Sequence, residues 1–407
     1  MSQTDAGWGA GPGVRYEALA ADFRPVFGRI AAGAVSRDRE RRLPHDEIGW
    51  LKESGFTTLR LARGQGGFGA SLPELFALLI ELSQADPNVT NALRAHFGFT
   101  EDALCAASPE WRERWIGRIA DRQTVGSGVS ETGEAKVGQF DTVLRREGGQ
   151  WRLDGRKFYT TGSLFADWIH LSAQDEAGEA VVAAVPVRAP GVEIVDDWDG
   201  FGQALTASGT ARFTGVVLGP DLVKPDPARF PYAMAFFQLV HLATLAGIGR
   251  AAALDLARLV SERTRIYSHG NAGRSGDDPQ VLGVVGRVRG AAYAAGATVL
   301  KAAEAVQRVH DAHLAGPGEA AEAAAAIADL EVNQAVTVVT DLVLDATTIL
   351  FDALGASAVK GGLGLDRHWR NARTIASHNP RIYRDRIVGD FAVNGTQPPR
   401  QYRVGSA

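Results

Sequence analysis

A change of hydrophobic rhythm in the middle of the chain limits what it can fold into. Between Leu153 and Thr210 the apolar residues fall in short alternating runs, such as Trp168, Ile169 and Leu171 or Val181 to Val185, rich in β-branched side chains and cut by Gly, Asp and Pro. On both sides the spacing is helical. Tyr16 to Ala31, Leu72 to Asp86 and Val89 to Leu104 precede the stretch, and Leu239 to Val260, Val281 to His313 and Ala320 to Leu354 follow it. The order predicts an α+β protein: an N-terminal helical domain (1–122), a small central β domain (123–232), and a C-terminal four-helix bundle with a tail (233–407).

Composition narrows the function. A 407-residue chain that is 45% hydrophobic and 22% charged, with a formal net charge of −4, lacks the basic stripe that nucleic acid demands. Its apolar runs read as too short to span a bilayer, and Met1 to Gly13 has no secretory pattern, so no membrane partner and a cytoplasmic location are expected. The single cysteine, Cys105, reads as a small packed residue in a reducing compartment. No histidine has carboxylate or cysteine company at ligand spacing, and no metal is expected.

Two glycine runs invite a phosphate-loop reading. Gly64-Gln65-Gly66-Gly67-Phe68-Gly69 lacks the Lys-Ser/Thr of a nucleotide loop and follows no strand, so it reads as a turn. Gly126-Ser127-Gly128-Val129-Ser130-Glu131-Thr132-Gly133 follows a strand start and offers backbone N–H groups and short hydroxyls to a ligand. Glycines at 247, 249, 286, 290 and 296 predict close helix contacts in the third block, and its surplus of apolar faces predicts oligomerisation.

The block order, together with Gly128-Val129-Ser130-Glu131, Leu153-Asp154-Gly155-Arg156-Lys157-Phe158-Tyr159-Thr160-Thr161-Gly162 and Gly202-Gln203, resembles the acyl-CoA dehydrogenase superfamily of flavoproteins over nearly the whole chain. The resemblance implies that Ser130 and Thr160 hydrogen-bond the flavin ring, that Phe158 lies near it, and that Gly361 and Gly362 belong to the glycine-rich segment beside the cofactor. It also implies a homotetramer.

One departure redirects the reading. The dehydrogenases carry a carboxylate base in a C-terminal segment, whereas Arg367-His368-Trp369-Arg370-Asn371-Ala372-Arg373-Thr374-Ile375-Ala376-Ser377-His378-Asn379-Pro380 contains no Glu. The family's FAD-gripping Arg-x-x-Phe-Gly is altered to Arg263-Thr264-Arg265-Ile266-Tyr267. This C-terminus, with Asp197-Trp198-x-Gly200 and Thr206 to Thr210, resembles the flavin-dependent monooxygenase branch that includes dibenzothiophene monooxygenase. The branch implies reduced FMN from a separate NAD(P)H-dependent flavin reductase, O2 as co-substrate, and oxygenation of a small apolar substrate at sulfur, nitrogen or carbon. The absence of a nicotinamide-binding βαβ fingerprint agrees with an external reductant.

Within that expectation His378 is the candidate acid–base group, His96 a second one, and Ser130 and Thr161 are hydroxyl donors near the reactive edge. Arg263, Arg265 and Arg370 are candidates for the FMN phosphate, the first two from a neighbouring subunit. FAD is the less favoured flavin. Two alternatives stand beside this reading: an FAD-dependent acyl-CoA dehydrogenase with a relocated base, and a flavin-less helical interaction scaffold.

Overall fold

The computed structural model describes residues 7–132, 140–225, 229–316 and 318–399; Gly133, the end of the second glycine run, lies outside them. Seven helices come first: α1 (Tyr16–Ala32), α2 (Ala34–Glu40), α3 (His45–Glu53), α4 (Leu72–Ala85), α5 (Pro87–Ala92), α6 (Arg94–Leu104) and α7 (Pro109–Ala120). Their starts are written in local chemistry. At α4 the Ser71 hydroxyl accepts from Glu74 N (3.3 Å) while the Glu74 carboxylate accepts from Ser71 N (2.7 Å), a reciprocal cap. Asp86 caps α5 and Ser108 caps α7, each followed by proline in the first turn. The glycine run at 64–69 is indeed a turn, a short 3-10 segment closed by left-handed Gly66.

The helix expected from Val89 to Leu104 is two helices. The chain breaks at Leu93, whose N–H closes a tighter turn onto Thr90 O (3.2 Å), and α6 starts afresh at Arg94. That break sets the direction of the Arg94 side chain.

Eight strands follow: β1 (Val125–Gly128), β2 (Val143–Glu147), β3 (Gln150–Lys157), β4 (Trp168–Asp175), β5 (Ala180–Pro186), β6 (Val192–Val195), β7 (Thr210–Leu218) and β8 (Val223–Pro225). They form one sheet in the order β6-β7-β3-β2-β4-β5-β8, with β1 also on β4. The β1–β4 and β2–β4 pairs are parallel and the rest antiparallel. Its alternating inward side chains, among them Leu144, Leu153, Leu171, Phe213 and Val216, make a small core of their own.

Helices α8 (Ala233–Glu262), α9 (Pro279–Ala315) and α10 (Glu319–Ile349) then build the C-terminal block, and the shorter α11 (Asp366–Ala376) and α12 (Arg384–Asn394) pack on α8 and α10 where the fourth side of a bundle would lie. One core joins the first and third blocks, running from Phe23, Phe56, Leu75 and Phe76 to Phe236, Leu239, Val299 and Val336. Glycine makes the closest crossing possible: a Cβ at Gly247 of α8 would collide with Ser83 and the Ile80 carbonyl of α4. A Cβ at Gly249 would meet Ala292 and Val343 only at ordinary contact distance, and Gly286 and Gly290 face open space, so their expected helix contacts are absent among the described residues.

The expectation that no apolar run could span a bilayer needs correction. Two helical segments, Ala233–Glu262 and Glu319–Ala353, are long and apolar enough by length and composition. The apolar window of the first is 89% buried inside the protein, which marks it as a core helix; that of the second is 44% buried.

Candidate active site

The sheet and the helical body meet along a cleft with two unlike walls. The sheet contributes loops. After β1 the chain turns through Ser130 and Glu131, and Glu131 is pinned by Lys157 Nζ (2.5 Å) and by the N–H groups of Asp141 (2.7 Å) and Thr142 (3.2 Å). Burial lowers the Lys157 ammonium to about 8, the nearby carboxylate opposing it, while Lys157 and these donors outweigh burial to hold Glu131 below its usual range. The pin fixes Ser130, whose carbonyl accepts from Phe158 N (3.0 Å) and whose side chain is exposed.

After β3 the Phe158-to-Gly162 turn is held from the opposite loop. Thr160 N and Oγ1 both donate to Gly209 O (3.2 and 2.9 Å), and Gly162 N donates to Thr206 O (3.0 Å). Tyr159 (φ 58°), Gln203 (φ 52°) and Ala207 (φ 50°) are left-handed without being glycine, a cost of about 1–2 kcal/mol each concentrated in these facing loops. Asn371 of α11 anchors them by accepting from Gln203 N (2.6 Å).

A chain of hydroxyls ends in this wall. Thr206 Oγ1 donates to Gln203 O (2.8 Å), which uses its only proton; Ser208 Oγ must then donate to Thr206 (2.7 Å), and Thr161 Oγ1 to Ser208 (2.7 Å). Thr161, expected as a donor, therefore presents an acceptor to the cleft. Thr160 is fully buried and its proton is spent on Gly209, so of the two expected flavin-facing hydroxyls only that of Ser130 is exposed. Phe158 and Tyr159 add an edge-on ring pair (4.8 Å), with Tyr159 48% exposed and 6.0 Å from Trp198.

The second wall is helical and cationic. Arg94 lies over the Phe237 ring (4.8 Å) and donates from Nε to Phe237 O (3.2 Å). One turn along α8, the His241 ring is 4.2 Å from that of His378, and neither His241 nitrogen has a partner although the residue is 98% buried. Beyond it Asn379 Nδ2 donates to Gln238 Oε1. His378 lies on the exposed side of this pair, its Nδ1 3.4 Å from Asn379 Oδ1. Burial and then the charge of Arg94 press both imidazoles toward the neutral form. The walls touch closely at Gly162, where a Cβ on this residue of φ 79° would strike the Ala92 carbonyl just before Arg94.

The other expected site residues lie elsewhere. His96 is fully buried, its Nε2 on Thr57 O (2.8 Å), and burial lowers it to about 4; it belongs to the helical core, not the cleft. Arg370 is committed to Asp38 (2.5 Å), Asp366 (2.8 Å) and Phe201 O (3.2 Å), which leaves it no fork for a phosphate. Arg263 donates to Leu354 O and Arg265 O, while the Arg265 side chain is exposed. Gly361 and Gly362 are exposed, with open space where a Cβ would stand. Arg94, His241 and Ser208 escaped the sequence reading; the available signal was a polar residue interrupting an apolar helix, in Leu93-Arg94-Ala95 and Leu239-Val240-His241-Leu242.

Comparison with known proteins fits this architecture. Residues 18–123 match the acyl-CoA dehydrogenase N-terminal domain and residues 239–380 the acyl-CoA dehydrogenase C-terminal domain. The chain belongs to the acyl-CoA dehydrogenase superfamily. It is 27% identical to the probable FMNH2-dependent monooxygenase SfnC of Pseudomonas putida, over 92% of this chain and 94% of that one. The structure of methanesulfinate monooxygenase MsuC from Pseudomonas fluorescens superposes with a TM-score of 0.85 at 26% identity, covering 94% of this chain and 98% of that one. TdsC from Paenibacillus sp. A11-2, solved with FMN and indole, gives 0.84 at 26% identity with the same coverage. Within the superfamily, the chain falls in the flavin-dependent monooxygenase branch.

Proposed function

We propose that the protein is the oxygenase half of a two-component system that takes reduced FMN from a separate NAD(P)H-dependent flavin reductase and uses O2 to oxygenate a small molecule. The observation that carries this over an acyl-CoA dehydrogenase is the helical wall. Arg94, Phe237, His241, His378 and Asn379 include no carboxylate to remove an α-proton. A scaffold without flavin would have no use for three strained residues and an ordered hydroxyl chain around a cleft.

Reduced FMN, when bound, supplies the electrons that activate O2. The sheet wall fits its ring: Ser130 offers a free hydroxyl, Phe158 and Tyr159 an aromatic surface, and Thr161 an acceptor suited to a ring N–H that reduced flavin has and oxidised flavin lacks. His378 faces the same cleft as a neutral imidazole, able to hold a proton at one nitrogen and accept at the other. The phosphate falls to exposed Arg265, delivered by a second copy, since Arg263 and Arg370 are held within their own chain.

A homotetramer would supply that copy. Leu282 and Tyr293 on α9, Ile327 and Val338 on α10, and Ile266 and Tyr267 between α8 and α9 are exposed apolar residues that such packing would cover. Oxygen uptake with FMN, NADH and a generic flavin reductase, run across sulfides, sulfones, sulfinates and amines, tests the activity. Uptake that no compound couples to an oxygenated product refutes it, and a stable flavin-competent monomer at micromolar concentration in sedimentation refutes the assembly.

A further inference from the structure

The helical wall holds a charge that its own fold leaves unanswered. Arg94 is half-buried at the head of α6, and among the described residues its one hydrogen bond is from Nε to the Phe237 carbonyl. Among the described residues no carboxylate lies within ion-pair distance of it, whereas its neighbour Arg229, which shares the Phe237 ring (4.4 Å), is paired with Asp102 at 2.5 Å. Burial lowers the Arg94 guanidinium to about 9, with Arg229 repelling it, yet it stays charged at neutral pH. Among the described residues the two Nη atoms of its fork have no partner.

Beside it, both ring nitrogens of buried His241 are unpartnered among the described residues, and the His378 ring lies against that ring at a tilt of 55°. The two buried arginines of the first block are joined to acids, Arg37 to Glu47 and Asp86 and Arg60 to Glu101, whereas Arg94 is not. Fork donors and imidazoles converging without an acid are what a small oxyanion needs.

We infer that Arg94 is the substrate's anchor and that the substrate is an organic anion, its carboxylate or sulfur oxyanion held by the Arg94 fork beside His241 and His378 with the oxidisable part directed to the sheet wall. This rests on the oxygenase reading above and specifies its substrate class. The relatives allow both polarities: TdsC was solved with indole, a neutral molecule, and MsuC is named for methanesulfinate, an anion. Arg94 places this chain with the anion users.

The test is equilibrium binding to the full-length chain in the presence of FMN, followed by calorimetry. Methanesulfinate and acetate are compared with neutral dimethyl sulfone, and benzenesulfinate and benzoate with neutral methyl phenyl sulfone. Wild type is expected to prefer an anion to its neutral partner, the sulfinates and carboxylates ranking the two oxyanion classes. Arg94→Gln should weaken anion binding about tenfold to a hundredfold, the scale of a lost charge-assisted bond, and leave the sulfones within about threefold; Arg94→Lys should recover part of the loss. Anions bound no more tightly than sulfones, or equal losses for both in Arg94→Gln, overturn the inference. Failure of wild type to bind FMN in parallel titrations would instead strike the oxygenase reading, because anion selectivity is also measured on the flavin-free chain.

Discussion

The two walls of the cleft solve the problem of buried polarity in opposite ways. On the sheet wall most polar atoms, Thr142 Oγ1 and Gln203 Oε1 excepted, are spent before a ligand arrives: Glu131 takes Lys157 and two backbone amides, Thr160 gives to Gly209, and the Thr206-Ser208-Thr161 chain is ordered from one end to the other. On the helical wall Arg94, His241 and His378 keep unfilled valences. A satisfied wall is rigid and can shape itself to one constant guest, such as a cofactor ring. An unsatisfied wall is costly on its own, about 1–3 kcal/mol per orphaned group, and recovers that cost only when a ligand completes it.

Acid should separate the walls most. His96 and His241 are fully buried on helices and held below the ordinary value of about 6.5 by burial. Unfolding lets them take up protons, so their stabilisation is whole above pH 6.5 and is lost as pH falls toward the folded value, about 4 for His96 and well below the ordinary one for His241. The loss is at most about 3 kcal/mol per pH unit for the pair. The sheet wall's Glu131 and Asp197 are depressed carboxylates, which lose their contribution only below about pH 4. Hydrogen exchange between pH 7 and 5 should therefore show α6 and α8 loosening before β3 and β7, with β4 following the helices because burial also holds its His170 low, at about 3; β3 and β7 loosening first would contradict the contrast.

Next in size is the point where the walls meet. Gly162→Ala would place a Cβ against the Ala92 carbonyl at a left-handed residue, a loss of about 3 kcal/mol visible in thermal denaturation. An unchanged melting temperature would mean that the walls are not braced there.

Within the helical wall, His378→Phe should lower product formation roughly a hundredfold, leave reduced FMN affinity within a few fold, and release hydrogen peroxide in place of product. Full coupling of oxygen to product in that variant would make His378 structural. The smallest effect belongs to the sheet wall: Ser208→Ala frees the Thr161 proton to rotate, and reduced FMN should bind about threefold to tenfold more weakly with oxidised FMN little changed. Equal loss for both flavin states would deny Thr161 its acceptor role.

The same contrast explains what could be read from the sequence. The sheet wall is made of neighbours in sequence, Ser130-Glu131 and Lys157 to Gly162, whose glycines and hydroxyls keep a recognisable order, so its place and its cofactor were legible. The block order and most helix starts were legible too, because caps and apolar spacing are local. The helical wall gathers single residues from α6, α8 and the end of α11, and no spacing links 94, 241 and 378 before the fold does. His96 was read as a site residue and Arg94 was not, and the helix break at Leu93 that separates α5 from α6 cannot be seen in apolar periodicity. Arg370 misled for a related reason: its acids, Asp38 and Asp366, come from opposite ends of the chain.

The core shared by the first and third helical blocks has a consequence for how the protein is made. Helix α4 leaves the ribosome early, yet the helix that crosses it most closely at Gly247 follows only after the whole sheet has been synthesised. Until then Leu75, Phe76, Leu78 and Leu79 lack their covering partners, a sticky surface carried through well over a hundred residues of translation. The sheet, with its own core, can fold in that interval. The nascent chain is therefore ordered from the middle outward, and its first block is the region with most need of a chaperone.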